Sequence, residues 1–440
     1  MGKKSVALLG NMNNGNFALM RYLSDLGHDV HLFLFKNDGK GNSSQFHWTA
    51  DTFEEEKWRN KISVTKLINS QIQIISAHSI FYPIIYIFFF FLKLIKHKSS
   101  EWFNPGTFNV RNELKKITNN YDVIIGNGNS PALFNFSKTP LSIFYPYSTG
   151  VEYVNCSITN NFLNHNRIIR LMVLKAKKHQ EKGLIKVQNI YNAEMGLTNT
   201  TLRKLNLYQK PLPIPAFYNT PGTPKNDFLN FNSNEEEFYK KKLIIMMHSR
   251  HVWVKPKMIS NDKFDQMESK NNHWLINAFS NLINTKPNLK AGLVMVEYGQ
   301  DVINSKELCK KLNIEKHVLW LPKMKQKHIK EYVKKATVIV GEFTLINKII
   351  WGSTGWEALA YGKLLMNYYD FKNNEFKELI GIEEPEILKV RKKEDVFEHL
   401  KWLSNNIESS IELGKKNELW FNKNNGIELA KKWIDLYNTE

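Results

Sequence analysis

The segment that most restricts the fold of this chain is GSTGWEALAYG, residues 352–362, between the short apolar runs 338–340 and 364–366. This pattern predicts a strand, a glycine-containing loop, a helix and a second strand, the repeating unit of a parallel α/β sheet. Gly352 and Gly355 would let the backbone approach a ligand, and the free amides of the helix start suit phosphate. Glu357, one turn into the helix, could accept hydrogen bonds from both hydroxyls of a ribose. The segment indicates a nucleotide-linked ligand, and the alternative is a tight turn followed by a carboxylate of structural use alone.

The length of 440 residues exceeds one ordinary core and predicts two domains of roughly 200 residues each. We expect domains at 1–210 and 211–425, with residues 426–440 forming a helix that returns to the first domain. Cys156 and Cys309 lie far apart and provide neither a metal-ligand spacing nor a disulfide framework. The N-terminus lacks the apolar core of a secretory signal, so we expect a cytoplasmic protein.

The formal net charge of +19 and the pI near 9.5 predict attraction to an anion. Nucleic acid, phospholipid and nucleotide ligands are all eligible. The lysines are scattered, and the sequence contains no RNA-binding, zinc-finger or helix-turn-helix pattern. We therefore expect no nucleic-acid partner.

The first fifty residues predict a strand at 6–10, a loop, a helix and a second strand at 30–35. The loop does not match the dinucleotide-binding glycine pattern. Its residues Gly10, Asn14 and Gly15 could border a ligand or only turn the chain, and Asn127 follows a later strand. The further strands predicted in this half are 123–125, 141–144 and 184–187.

A second series of strands follows the proline- and asparagine-containing stretch 211–237. Its predicted strands are 243–247, 293–296, 318–321, 338–340 and 364–366. Two such series predict an α/β protein with two Rossmann-like, doubly wound domains that face a cleft. Ligands in such sheets bind beyond the carboxyl ends of the strands.

Polar side chains follow the strands of the second series at those ends. Arg250 comes after the first strand, Lys270 precedes a helical run, and Tyr298 follows the next strand. Arg250 and Lys270 together could neutralise a diphosphate, the arginine through a bidentate fork and the lysine as a point charge. A lysine alone in so basic a chain would be a surface residue.

The order of these elements resembles the GT-B glycosyltransferases, in particular the large retaining family usually numbered four. The resemblance covers residues 243–366, and in the N-terminal half it extends only to the strand order and to PYSTG, residues 146–150. The motifs that carry it are HSRHVW at 248–253, SKNNHWLINAF at 269–279, EYGQD at 297–301, LWLPKM at 319–324, GEF at 341–343 and GSTGWEALAYGK at 352–363.

The resemblance implies a role for each motif residue. Arg250 and Lys270 would hold the donor diphosphate, Glu357 would bind the donor ribose, and the amides around Ser353, Thr354 and Gly355 would face the phosphates. The family has a second glutamate eight residues before the ribose-binding one, near the donor sugar. Here Ile349 stands in that position. Glu342 lies upstream and could substitute if the intervening loop folds back.

The mechanism implied by the resemblance needs no metal and no cofactor, because cationic side chains and the helix start stabilise the departing diphosphate. A UDP-sugar is favoured over a GDP-sugar only because it is common in the family. A retaining enzyme needs no protein base, whereas an inverting one needs a carboxylate or histidine, for which Glu152 is the candidate. The predicted acceptor-side loop residues are Gly10, Asn14, Gly15 and Asn127, together with Tyr147 and Ser148 in PYSTG. The acceptor would be a glycan that could be lipid-linked in surface polysaccharide or glycoconjugate synthesis.

The aromatic-rich run 80–92 is short for a transmembrane helix, which needs about 20 residues. It could be a core helix. Its neighbouring cationic residues favour instead an interfacial segment that holds the protein at the anionic inner face of a membrane.

Three function classes remain open on the sequence. A glycosyltransferase is favoured. A nucleotide-sugar epimerase on the same scaffold would convert the donor without an acceptor. A catalytically weak GT-B binding or scaffold protein is suggested by Ile349 in place of the glutamate and would bind without turnover.

Overall fold

A computed structural model describes the chain in segments that cover most of both halves. These are residues 4–11, 14–36, 56–68, 84, 87, 90–91, 94–95, 110–146, 167–191, 202–208, 210–213, 215, 218–219, 231–255, 269–345 and 351–438. The chain divides into two compact units. The first comprises Met1–Tyr218, Leu379–Gly381 and Leu429–Glu440, and the second comprises Asn219–Glu378 and Ile382–Glu428.

The described residues of the first unit form a six-stranded parallel sheet in the order β3-β2-β1-β4-β5-β6. Its strands are β1 Val6–Leu9, β2 Val30–Lys36, β3 Ile62–Ile68, β4 Val123–Gly126, β5 Ile143–Phe144 and β6 Asn189–Ile190. The helices described with it are α1 Gly15–Asp25, α2 Glu56–Arg59, α3 Val110–Thr118, α4 Ser130–Ser137 and α5 Arg167–Lys186. The central strands β1 and β4 are buried along their whole length, as expected where helices cover both faces of a parallel sheet.

The second unit repeats this architecture in its described residues, with the strand order β12-β11-β10-β7-β8-β9. Its strands are β7 Leu243–Met247, β8 Ala291–Val296, β9 Val318–Leu321, β10 Val338–Val340, β11 Leu364–Tyr368 and β12 Ile387–Val390. The helices that follow Asn219 in the chain are α6 Ser233–Phe238, α7 Asn272–Thr285, α8 Val302–Lys311, a 3₁₀ turn Glu315–His317, α9 Gln326–Lys335, α10 Ser353–Ala360, α11 Glu375–Ile380, α12 Lys393–Asn405, α13 Ile407–Asn424 and α14 Gly426–Asn438. From Leu429 onwards α14 belongs to the first unit. In both sheets the chain reverses beside its first strand, which is the doubly wound order predicted from the sequence.

One predicted strand, 184–187, is wrong. Residues up to Lys186 belong to the helix α5, and the strand lies further on at Asn189–Ile190. Gln180, Gly183 and Leu184 are buried whereas Ile185 is 58% exposed, which is the spacing of one helix face. A short apolar run alone does not separate a helix end from a strand.

Two strands escaped the sequence analysis, β3 and β12, and each is at an edge of its sheet. In β3, Thr65 and Leu67 are buried while Val64 and Lys66 are exposed. This alternation reflects a strand covered on one face only, and it gives a weaker sequence signal than the continuous apolar runs of the central strands.

The last helix carries its apolar face into the first unit. Trp433 is fully buried, and its ring makes edge contacts with Tyr145 and Tyr191. Its indole Nε1 donates a hydrogen bond of 2.9 Å to the carbonyl oxygen of Pro213. The C-terminal helix therefore completes the core of the first unit, although most of that unit comes from the N-terminal half of the chain.

The apolar run that the sequence analysis singled out presents its described side chains to solvent. These residues are at least half exposed: Ile84, Ile87, Phe90, Phe91, Leu94 and Ile95. They do not form a core helix in the described part of the chain. Where the structure describes the chain, no helix is long and apolar enough to cross a bilayer.

The packing of α4 against α5 allows a direct test of the first unit. A β-carbon on Gly183 would overlap the carbonyl oxygen of Pro131, which is backbone and can yield only by moving a helix. We expect Gly183→Ala to lower the free energy of unfolding by about 1–3 kcal/mol, the usual cost of overpacking. Urea unfolding of this variant and of Lys182→Ala, an exposed neighbour, measures the effect. Equal stability of the two variants would contradict the helix contact.

Candidate functional site

The carboxyl ends of the second sheet are in register, so the loops that leave them begin side by side. Val340 of β10 pairs with Met247 of β7 and with Met366 of β11, and Met247 pairs with Met295 of β8. The loop after β7 is fastened to the loop after β10 because Ser249 Oγ donates to the carbonyl oxygen of Gly341 at 3.1 Å. Residues far apart in sequence therefore meet at this edge.

Glu357 is the buried carboxylate of this edge. It lies in α10, and its side chain is 7% exposed. His248 Nε2, directly after β7, lies 2.6 Å from Oε2, and Gln326 Nε2, at the start of α9, donates to Oε1 at 2.8 Å. Because an ionised carboxylate can only accept, His248 Nε2 is the donor. In the described residues, the donors to the two carboxylate oxygens are thus an imidazole and an amide rather than an arginine or a lysine.

The other ring nitrogen of His248, Nδ1, is buried and has no hydrogen-bond partner within the described segments. The side chain is 8% exposed. An unpaired buried polar atom costs about 1–3 kcal/mol relative to a paired one. His248 therefore contacts Glu357 through one ring nitrogen, while the other has no partner in the described residues.

A second acidic group, Glu342, stands in the loop after β10 and pairs with Lys270. The side chain of Lys270 is 14% exposed, and that of Glu342 is 27% exposed. The backbone amide of Glu342 donates to Asn367 Oδ1 at 2.8 Å, which fixes the loop to β11. A β-carbon on Gly352 would stand 3.9 Å from Glu342 Oε1, so this carboxylate also neighbours the start of α10.

The start of α10 is open to solvent. Gly352 caps the helix in an extended conformation without a side-chain hydrogen bond, and Gly352 and Ser353 are exposed while Thr354 is half-buried. Gly355 differs from these residues because its amide donates to the Gly352 carbonyl oxygen and its α-carbon packs on Trp351. The amides available to an anion are therefore those that precede Gly355.

Arg250 and Tyr298 lie on neighbouring loops of the same edge. Arg250 is exposed, and its carbonyl oxygen accepts a hydrogen bond from Asn272 Nδ2 at 3.2 Å. The Tyr298 carbonyl accepts from the amide of His251 at 2.7 Å, and the Tyr298 ring faces the Lys323 ammonium at 5.2 Å. The structure fixes the backbone of both predicted residues and brings Lys270, not Arg250, into contact with Glu342.

His251 anchors the loop that carries Arg250. Its ring is fully buried, and Nδ1 lies 2.9 Å from Ser305 Oγ, which also accepts from Trp253 Nε1 at 2.9 Å. Asp301 accepts from the Trp253 amide at 2.7 Å. Burial lowers the pKa of His251 to about 4, against the opposing effect of the Asp301 carboxylate.

The first sheet has a different edge, formed by amide side chains. Leu9 pairs with Gly126, so Gly10 and Asn127 follow side by side. Gly10 has φ +84°, and a β-carbon there would overlap Asn127 Oδ1. Asn16 Nδ2 donates to the Gly10 carbonyl at 2.8 Å, and Asn14 adopts a left-handed φ of 63° just before α1, which begins at Gly15.

Two oxygens at this edge are without a partner in the part of the chain that the structure describes: Asn16 Oδ1 and Asn127 Oδ1, both in side chains that are nearly fully buried. The predicted acceptor-side residues Gly10, Asn14, Gly15 and Asn127 therefore share one sheet edge. Other predicted positions lie outside the described residues: Tyr147, Ser148, Glu152 and Ile349.

His248 and Gln326 were not predicted from the sequence. His248 stands directly after a predicted strand, which is a signal that sequence analysis could have used. Gln326 is a polar residue in a lysine-rich helix, and only the fold brings it to Glu357.

The fold resembles solved structures over nearly its whole length. HepE from Anabaena, crystallised with UDP and glucose, gives a TM-score of 0.55 at 10% identity, covering 99% of this chain and 100% of its own. Sucrose-phosphate synthase from Thermosynechococcus elongatus gives 0.54 at 13% identity, covering 99% of both chains. A glycosyltransferase from Rickettsia africae ESF-5 gives 0.54 at 15% identity, covering 100% of this chain and 99% of its own.

These similarities, together with the two doubly wound sheets, confirm the predicted GT-B fold. Identities of 10–15% concern the fold alone, and the retaining family numbered four stays a prediction. The amino-acid sequence matches no protein-family model, and no curated protein is significantly similar to it.

The depressed pKa of His251 predicts how stability changes with pH. Because the unfolded histidine binds its proton near pH 6.5 and the folded one only near pH 4, stability is lost as the pH falls through this window. Between pH 7 and pH 5 the loss from this residue is up to about 2 kcal/mol. Urea unfolding at both pH values should show a smaller loss for His251→Asn than for wild type. An equal loss would mean that His251 titrates normally in the folded protein.

Proposed function

We propose that the protein is a glycosyltransferase that moves a sugar from a nucleotide-sugar donor to a glycan acceptor without a metal ion. The observation that carries the proposal is Glu357, a buried carboxylate one turn into a helix whose amino end is open to solvent. A carboxylate oxygen accepts about two hydrogen bonds, and each oxygen of Glu357 receives one from the residues that the structure describes. One acceptor position on each oxygen remains for the two hydroxyls of a ribose.

The diphosphate of the donor would bind at the start of α10. Gly352 and Ser353 offer exposed backbone there, Lys270 lies close through its pair with Glu342, and Arg250 is exposed on the neighbouring loop. Helix amides and cationic side chains stabilise the charge that develops on a departing diphosphate. The reaction then needs no metal for this purpose, which is the reason for the metal-independent proposal.

Glu342 is the proposed carboxylate for the transferred sugar. Its side chain pairs with Lys270 and its backbone amide donates to Asn367 Oδ1, while the side chain stays partly exposed, so it is fixed and still reachable by a ligand. In a retaining reaction the leaving phosphate would take the acceptor proton, and in an inverting reaction Glu152 is the proposed base.

A UDP-sugar is the donor we favour. HepE, which shares the fold, has been crystallised with UDP, with UDP and glucose, and with UDP-glucose. The asparagine side chains at the carboxyl edge of the first sheet carry no charge, which suits the hydroxyls of an acceptor sugar better than a phosphate. We infer a role in surface polysaccharide or glycoconjugate synthesis, with an acceptor that is a free or lipid-linked glycan.

The donor site predicts a selective response to nucleotides. In the presence of EDTA, UDP or its sugar at about 100 times Kd should stabilise the protein by about 2.7 kcal/mol. Glu357→Gln keeps the side-chain volume but replaces one acceptor oxygen with a donor, so we expect about a tenfold loss of UDP affinity or more. Glu237→Gln, an exposed glutamate on α6, is the matched control. Calorimetry measures both variants.

Turnover assays with UDP-glucose separate the function classes. Sugar transfer to an added glycan supports the transferase. Donor conversion without an acceptor would indicate an epimerase, and tight binding without any product would indicate a scaffold protein. Absence of nucleotide binding would refute the donor site altogether.

We also infer that the protein acts in the cytoplasm, at the anionic inner face of a membrane. The six apolar side chains described between Ile84 and Ile95 are all at least half exposed, and Phe90 and Phe91 contact each other edge to face. In the sequence, Lys93, Lys96 and Lys98 accompany them, and the whole chain carries +19. Apolar and cationic residues together favour insertion into an anionic leaflet.

Vesicle sedimentation tests this attachment. We expect binding to vesicles that contain phosphatidylglycerol and weaker binding at high salt or to phosphatidylcholine alone. The double variant Phe90→Ser and Phe91→Ser should bind about tenfold more weakly or worse, since it lacks the two aromatic rings that the bilayer would bury. Ile303→Ser with Leu419→Ser removes two apolar side chains of the second unit that are even more exposed than Phe90 and Phe91, and this variant should bind as wild type does. Equal loss in both double variants would refute the assignment to this segment.

A further inference from the structure

In the part of the chain that the structure describes, each carboxylate oxygen of Glu357 accepts one hydrogen bond and keeps about one acceptor position free. We propose that His248 and Gln326 are positioning residues that hold its carboxylate so that both remaining positions face a 2′,3′-diol, which makes the site select ribonucleotides over 2′-deoxyribonucleotides. This inference rests on the proposed nucleotide-sugar donor.

Neither of the two described donors to Glu357 is an arginine or a lysine. An arginine would form a two-pronged fork with both carboxylate oxygens, and a lysine would add a full charge that competes with ligand hydroxyls. Here each oxygen receives one directed hydrogen bond, from His248 Nε2 at 2.6 Å and from Gln326 Nε2 at 2.8 Å. A carboxylate held at both oxygens cannot rotate freely. Two acceptor positions, one per oxygen, match two adjacent hydroxyls.

The two donors and the carboxylate come from three different parts of the second sheet. His248 follows β7, Gln326 begins α9 after β9, and Glu357 lies in α10 after β10. Three separate connections of one sheet edge therefore converge on one carboxylate. A carboxylate needed only for packing would be replaceable by an apolar side chain, whereas this one is 7% exposed and is hydrogen-bonded by side chains from two other connections.

Binding of UDP and of 2′-deoxy-UDP to the full-length protein tests the inference, with the corresponding guanosine pair measured alongside. Wild type should prefer the ribonucleotide by about tenfold, the worth of one good hydrogen bond to a charged group. In His248→Ala and in Gln326→Ala, UDP affinity should fall by roughly 3- to 10-fold while 2′-deoxy-UDP affinity stays within about twofold. The preference for ribose therefore collapses. His248→Gln, which can still donate from its amide, should restore part of it.

The control is His399→Ala, which removes another half-buried histidine of the second unit, one whose hydrogen bond within the described segments is to the Lys389 carbonyl oxygen. It should keep the wild-type preference. Equal weakening of both nucleotides in the His248 and Gln326 variants would show a general structural role and overturn the inference while the donor site stands. A wild type that binds both nucleotides equally would also overturn it alone. A wild type that binds none of the four nucleotides would overturn the proposed function together with the inference.

Discussion

The burial of one ionisable carboxylate governs the organisation of the second unit. Glu357 has a 7% exposed side chain, and a charge so far from water is tolerated only when it is paired and hydrogen-bonded. Its partners, His248 and Gln326, stand 109 and 31 residues away in the chain. The hydrogen bonds therefore require that the connections after β7, β9 and β10 be fixed relative to one another. The parallel sheet meets this requirement because its register aligns the carboxyl ends of all these strands.

The loop after β10 depends on a second polar contact, made by Asn367. Its Oδ1 accepts the Glu342 amide at 2.8 Å and occupies the space where a β-carbon on Gly341 would stand. Gly341 is therefore required by packing rather than by an unusual φ. The consequence is that Glu342 leaves the strand at a fixed point and meets Lys270, whose own backbone bonds the loops after β7 and β10. Two acid groups, with different partners and different exposure, thus coexist at one edge without contacting the same cation.

The sequence predicted the central part of the fold because its signals are local. Buried central strands such as β7 and β10 are continuous apolar runs, and the glycine-containing loop before α10 is read directly from its residues. The edge strands β3 and β12 alternate or carry polar residues, so they did not stand out. Leu184 was assigned to a strand because an apolar run has no marker of helix or strand at its end.

The sequence predicted a site residue only where the type of that residue and its position next to a predicted strand or helix indicated a role. Glu357, Lys270 and Arg250 follow predicted strands or precede helices, and the structure brings them to one sheet edge. Gln326 could not be predicted, because nothing within ten residues of it indicates a carboxylate partner. Long-range hydrogen bonds of this kind follow from strand order and register, which a linear pattern does not contain.

The two sheets differ in the chemistry of their edges, and the difference bears on what each can bind. The second sheet brings Lys270, Glu342 and Glu357 together, whereas the described edge of the first sheet is lined by the amides of Asn14, Asn16 and Asn127. Amides donate and accept without a net charge, so they favour hydroxyl groups over phosphates and carboxylates. On the proposed function, the charged edge suits a nucleoside diphosphate and the amide edge suits the neutral sugar end of an acceptor. Any lipid diphosphate of that acceptor would then have to be bound by groups other than these asparagines.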